Sequence, residues 1–113
     1  MGSTCVRMQI EWFVPLGQTR SITMALHSVA AETRTMHGCA GCSVSADLSN
    51  RGTVSYSEEW LTEDDLRLRL QSDTFSHLVT LIEDAAQPPR VEFKLAHETR
   101  GFDFVEEVRA SIP

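Results

Sequence analysis

Val54-Ser55-Tyr56-Ser57-Glu58-Glu59-Trp60 is the stretch whose reading decides the fold. Val54, Tyr56, Glu58 and Trp60 alternate with Ser55, Ser57 and Glu59, the period of two that sends successive side chains to opposite faces of a strand. Upstream, Cys42, Val44, Ala46 and Leu48 alternate in the same way with Ser43, Ser45 and Asp47, and Asn50-Arg51-Gly52 between the two runs is a turn signal. The pair is a β-hairpin. One residue sits awkwardly in it: Glu58 falls in the apolar row, where burial opposes the charged form of a carboxylate.

Working outward, residues 6–14 alternate Val6, Met8, Ile10 and Trp12 with Arg7, Gln9 and Glu11, a half-buried strand that Pro15 and Gly17 end. Over residues 19–36 the period changes. Ile22, Leu26, Val29, Thr33 and Met36 recur at steps of three and four and form one helical stripe, with Thr19 or Ser21 as cap and Gly38 as exit. Beyond the hairpin, Thr62-Glu63-Asp64-Asp65 starts a short helix through Leu66 and Leu70, a threonine cap with acids in the first turn. Ser72-Asp73 starts another, with Phe75, Leu78, Ile82 and Ala86 as its stripe and Pro88-Pro89 as its stop. Val91, Phe93, Leu95 and His97 predict a fourth strand, Arg100-Gly101 a turn, and Phe104, Val105 and Val108 a short closing helix.

The order is β-α-β-β-α-β with a tail: an α+β, ferredoxin-like arrangement in which helices cover one face of a four-stranded antiparallel sheet. The other face would carry Arg7, Gln9, Glu11 and Phe13 with Ser43, Ser45, Ser57, Glu92 and Lys94, and must meet water or another subunit. With 113 residues, 42% hydrophobic and 23% charged, and with no linker, repeat or low-complexity tract, the chain is one domain over residues 1–113. Residues 1–5 are expected to be a disordered or artificially added start.

Several classes of function are disfavoured at this stage. A formal net charge of −6 repels phosphate backbones, so no nucleic-acid partner is expected. No apolar run approaches the ~20 residues of a bilayer span, and Met1-Gly2-Ser3-Thr4-Cys5 does not open a secretory leader. The chain reads as soluble and cytoplasmic, with no membrane partner. Three cysteines are too few and of the wrong parity for a disulfide scaffold. There is no glycine-rich phosphate loop, no Gly-x-Ser-x-Gly elbow and no His-Glu-x-x-His.

Among the remaining constellations, Cys39-Ala40-Gly41-Cys42 has the spacing of a soft-metal or redox loop. A regular strand through both residues points them to opposite faces, and only His37 stands nearby where structural zinc wants four ligands. No metal is expected, and Cys42 reads as core. Tyr56, Glu58 and Trp60 offer a better site. A carboxylate on the covered face either moves protons beside a ring stacked on Trp60 and Tyr56, or pairs with a buried arginine or a helix end. His97 would close the apolar row of the fourth strand or sit at the sheet's rim, and His27 and His77 read as solvated.

Tyr56-Ser57-Glu58-Glu59-Trp60, then Asp65-Leu66, then Leu70-Gln71-Ser72-Asp73-Thr74-Phe75, resembles the antibiotic biosynthesis monooxygenase domain family. Gly38-Cys39-Ala40-Gly41-Cys42 and Arg100-Gly101-Phe102-Asp103-Phe104 resemble one of its small bacterial branches, and the likeness runs over about residues 6–109. It implies a homodimer, two sheets packed face to face as a dimeric α+β barrel. It also implies oxidation of an aromatic quinol or anthrone-like small molecule with O2 and no cofactor. The substrate, once deprotonated, would pass its electrons to oxygen itself. On that resemblance Glu58 is the proton acceptor, Trp60 and Tyr56 the pocket wall, and Arg69 an anion stabiliser. The haem-degrading branch has an asparagine, a tryptophan and a histidine where this chain has Ile10, Arg69 and Val79, so haem degradation is not expected. Many other members carry histidine at the place of Arg69, a departure that bears on quinol oxidation too. Two rivals remain. One is a non-catalytic dimeric module for a small ligand or a partner protein, with its pocket narrow or filled by side chains such as Trp12 and Phe75. The other is metal or redox work through Cys39 and Cys42.

Overall fold

The computed structural model describes residues 5–47 and 52–111. Strands β1 (Val6–Phe13), β2 (Cys39–Asp47), β3 (Thr53–Trp60), β4 (Arg90–Lys94) and β5 (Thr99–Arg100) form one antiparallel sheet in the order β2-β3-β1-β4-β5. Helices α1 (Thr19–Thr33), α2 (Glu63–Gln71), α3 (Phe75–Glu83) and α4 (Asp103–Ala110) complete the α+β, ferredoxin-like fold. The predicted four strands are present, and a fifth joins them.

That fifth strand replaces the end of the predicted fourth. β4 stops at Lys94, and the Leu95 amide donates to the Glu98 carbonyl at 2.8 Å, closing a turn that returns two residues to the sheet. Period-two alternation continues through that turn and does not mark it. His97 therefore lies exposed in the turn and not in an apolar row. The first helix also ends earlier than expected. α1 stops at Thr33, and Met36, with its amide on the Thr33 carbonyl at 3.0 Å, belongs to the turn that follows. Its cap position is Gln18, the last residue of a short 3-10 turn at Leu16–Gln18. Thr19 is instead the first, buried residue of the helix. Thr62 caps α2 as predicted, accepting from the Asp65 amide at 3.1 Å. Ser72 and Asp73 precede α3 without starting it, and Ala86 lies beyond its end, exposed. Leu48, Asn50 and Arg51 lie outside the described residues.

Gly38 is required twice over. Its φ is +86°, and a Cβ there would collide with the Asp65 side chain at the start of α2.

Alternation along the two central strands builds the core. Val6, Met8, Ile10 and Trp12 of β1 and Val54, Tyr56, Glu58 and Trp60 of β3 are all 2% exposed or less. Leu26 and Ala30 of α1, Leu66 and Leu70 of α2, and Phe75 and Leu78 of α3 close over them. Each large apolar side chain buried this way contributes about 1.5–3 kcal/mol. α4 joins through Phe104, whose ring centroid lies 5.1 Å from that of Phe93. Arg7, Gln9, Glu11 and Phe13 face the uncovered side of the sheet, across from Glu59, Ser57, Ser55 and Thr53 of β3.

Candidate functional site

The carboxylate in the apolar row is where the core becomes polar. Strand alternation puts Tyr56, Glu58 and Trp60 on the covered face, and α2 brings a guanidinium down onto them. Arg69 sits three residues after Leu66 and one before Leu70, so it belongs to the buried stripe of its helix. Its Nη2 lies 3.1 Å from Glu58 Oε2, with side-chain exposures of 1% and 0%.

Glu58 accepts from four donors. Tyr56 Oη donates to Oε2 at 2.5 Å, Trp60 Nε1 to Oε1 at 3.0 Å, and Arg69 through Nε (3.2 Å to Oε1) and Nη2. Arg69 is held further by Thr33 Oγ1 (2.9 Å from Nη2) and Thr74 Oγ1 (2.9 Å from Nη1), and it lies 5.3 Å over the Phe75 ring. The Thr33 hydroxyl in turn donates to the Val29 carbonyl at 2.7 Å. Among the described residues the only buried side-chain N or O atom without a partner is Thr19 Oγ1, outside this cluster. That completeness is what makes a buried ion pair tolerable, because charge out of water is costly unless every lone pair and proton is engaged.

The electrostatics follow from burial and proximity. Burial alone would lower the Arg69 pKa, but the Glu58 carboxylate beside it overrides this, and the guanidinium is held above its ordinary range. Tyr56 is pushed far above the usual phenol range by burial and then by the charge of Glu58. Both stay locked in one protonation state at neutral pH. The phenol is a fixed donor and the guanidinium a fixed cation.

The structure thus brings Tyr56, Glu58, Trp60 and Arg69 together, but in a solvent-excluded cluster. All four are 1% exposed or less, and Phe75, at 0%, packs its ring against Arg69. His97 is not part of the cluster.

Open space lies one layer out, between α1 and α3. A groove of about 550 Å³ is lined by Ala25, Ser28, Val29, Glu32, His77 and Leu81, among others, and an adjoining groove of about 240 Å³ includes Trp12, Ile22, Ala25 and Leu81. His77 Nδ1 stands 3.9 Å from Glu32 Oε2 across the larger one. This groove was missed in the sequence, where His77 read as merely solvated. Its signal was the small residues Ala25 and Ser28 on α1 and Thr80 on α3, which leave two packed helices with a gap.

Cys39 and Cys42 correct an expectation. The register of β2 on β3 shifts between Cys39 and Gly41, so Cys39 lies opposite Trp60 and Cys42 opposite Glu58. Both therefore face the helix-covered side. Among the described residues no group of three or more His, Cys, Asp or Glu side chains is arranged to hold a metal ion, and no helix is long and apolar enough to cross a membrane.

Comparison with known proteins agrees with this architecture. No curated protein sequence matches the chain. Solved structures do: a conserved protein of Methanosarcina mazei is 20% identical, covering 82% of this chain and 93% of its own, with a TM-score of 0.71. A protein of Shewanella oneidensis (15% identity, coverage 88% and 94%) also reaches a TM-score of 0.71. A protein of Deinococcus radiodurans described as a candidate antibiotic biosynthesis monooxygenase is 19% identical, covers 82% and 93%, and scores 0.70. At such identities the likeness establishes the fold. The sequence pattern of the antibiotic biosynthesis monooxygenase family matches residues 5–81, which carry β1 through α2 and most of α3. The chain belongs to the antibiotic biosynthesis monooxygenase family.

Proposed function

We propose that the protein is a cofactor-independent monooxygenase, acting in the cytoplasm as a homodimer on an aromatic, quinol- or anthrone-like small molecule. The observation that carries this reading is the convergence of a carboxylate, a guanidinium and two aromatic donors at one point under α2. The α1–α3 groove supports a route to it. Thr33, whose hydroxyl belongs to the cluster, lies one helical turn beyond Val29, and Phe75 lies two residues before His77. A flat ring parting that seam meets Tyr56 and Trp60. Glu58, released by one of its donors, takes the substrate proton, and Arg69 stabilises the anion. Both electron pairs needed by oxygen then come from the substrate: an anthrone methylene plus O2 gives a carbonyl and water.

The dimer in this proposal uses the uncovered sheet face. Lys94, Arg7 and Glu59 lie side by side across β4, β1 and β3, with Arg90 and Glu11 paired four residues further along. Interspersed charges of this kind pair across a two-fold axis. Sedimentation at micromolar concentration is expected to give a dimer, and a monomer would remove that part of the proposal.

A second reading is favoured by one observation. The cluster is closed and Glu58 is fully engaged, as in a non-catalytic module whose ligand stays in the groove. Oxygen uptake by chelator-treated protein over a panel of anthrones and hydroquinones separates the two. The expected result is uptake without metal or flavin, reduced at least roughly tenfold in Glu58→Gln and in Trp60→Phe. Uptake unchanged in both variants would sink the assignment of these residues. Ligand binding without uptake would establish the module instead.

A further inference from the structure

The irregularity in β2 has a chemical result. Gly41 lies opposite Glu59 between the pairs Cys39–Trp60 and Cys42–Glu58, so Ala40 is the extra residue of a β-bulge. In a regular strand two residues three apart face opposite sides. The bulge cancels that, and the two thiols become consecutive side chains on one face. Their partners Trp60 and Glu58 are consecutive same-face residues of β3, about 6.4–6.8 Å apart at the backbone, which sets the two cysteines near the upper end of the roughly 4.4–6.8 Å over which a disulfide closes. The Cys39 thiol donates to the Gly41 carbonyl at 3.5 Å, the group bonded to the Cys42 nitrogen, so its sulfur leans along the strand toward Cys42. Both thiols are free and half-buried, on a strand at the edge of the sheet.

We propose that Cys39 and Cys42 are a dithiol–disulfide redox pair that closes an intrastrand disulfide across the Ala40 bulge on reaction with a low-molecular-weight disulfide. One cysteine attacks the small disulfide, forms a mixed disulfide and expels one small thiol. The other attacks the protein sulfur of that mixed disulfide and expels the second. The protein gives up two electrons and two protons, the oxidant's S–S bond is broken, and one protein S–S bond is formed.

The surroundings set the character of the pair. Burial, with the charge of Glu58 adding to it, pushes both thiols up, Cys42 to about 11. Arg34, whose guanidinium grips the Cys42 carbonyl through Nε and Nη2 at 3.2 and 2.9 Å, offsets this only in part. A dithiol whose thiolates are not stabilised reacts slowly, and its disulfide, once formed, resists reduction. Cys42 lies opposite Glu58 on β3, so the bond would close beside the buried cluster. The thiol–disulfide reaction itself needs no oxygenase activity.

The test uses the full chain carrying Cys5→Ser, which removes the exposed third thiol. After incubation with glutathione disulfide and alkylation under denaturing conditions, intact mass is expected to show the loss of two hydrogens, with neither cysteine alkylated and no glutathione attached. Trp60 fluorescence should fall as a disulfide forms opposite it. With Cys42→Ser added, a glutathione adduct should persist on Cys39 in roughly tenfold higher yield than when both thiols are present. Two thiols still alkylated after prolonged oxidation, or adducts on both that never resolve, would overturn the proposal.

Discussion

Arg69 pairs with one carboxylate and Arg100 with three, and the shortest contact belongs to the weaker cluster. Arg100 Nη2 lies 2.6 Å from Asp103, with Glu107 and Glu98 at 3.2 and 3.3 Å, and these acids are 53–65% exposed. Arg69 meets Glu58 at 3.1 Å with both side chains at 1% exposure or less. Water and salt screen the first cluster, and the side-chain freedom lost in ordering it offsets much of the attraction. In the second neither charge has water to fall back on. Losing one partner strands the other, so environment outranks distance.

The largest expected effect comes from stranding Glu58. Arg69→Ala should cost about 3–5 kcal/mol in urea unfolding, whereas Arg69→Met combined with Glu58→Leu should recover most of that loss. If the double variant is as unstable as the single, pairing is not what Arg69 supplies. Next in size is Tyr56→Phe, which removes one donor to Glu58 and one partner of Thr33, for about 1–3 kcal/mol by the same measurement.

A pH experiment sharpens the contrast further. Cys42 is raised from 9.0 to about 11 in the folded chain, so the unfolded chain loses its proton first. The stability tied to this thiol is therefore fully present below 9.0 and is lost as the pH rises toward about 11. Urea midpoints should fall over that range, and Cys42→Ser should flatten the fall. At the exposed cluster the sign is opposite. Hydrogen bonding from Arg100 holds the Asp103 carboxyl below 3.8, so its small contribution is present above 3.8 and disappears as the pH drops through its folded value. Arg100→Ala should give the smallest effect of the series, vanishing in about 1 M salt. A salt-resistant loss would mean that the packing of Arg100 on Phe104, at 5.4 Å, matters more than its charges.

The hairpin and the stripes of α1, α2 and α3 could be read from residue order because each is a local periodicity. So could the oddity of Glu58, a carboxylate in an apolar row, and its pairing with a buried arginine was one of the two readings open at the start. The partner could have been found by helical spacing, since Leu66, Arg69 and Leu70 share a face. Family likeness points to Arg69 only as an anion stabiliser, not as the partner of Glu58. β5 was not legible, because two residues carry no period. The α1–α3 groove left only a weak mark, small residues on two helices, because its width depends on how far apart the helices settle.

Sequence by itself determined which side chains face the core, since alternation and helical stripes are properties of the chain alone. It also determined the family, through motifs held in order along residues 5–81. Tertiary structure decided what those buried residues do to one another. Only packing brings Thr33, Glu58, Arg69 and Thr74 from separate segments into one cluster closed to water. Only strand pairing shows that one extra residue at Ala40 turns Cys42 to the side of Cys39. In both places the deciding quantity is a register between segments distant in the chain, which no local periodicity contains.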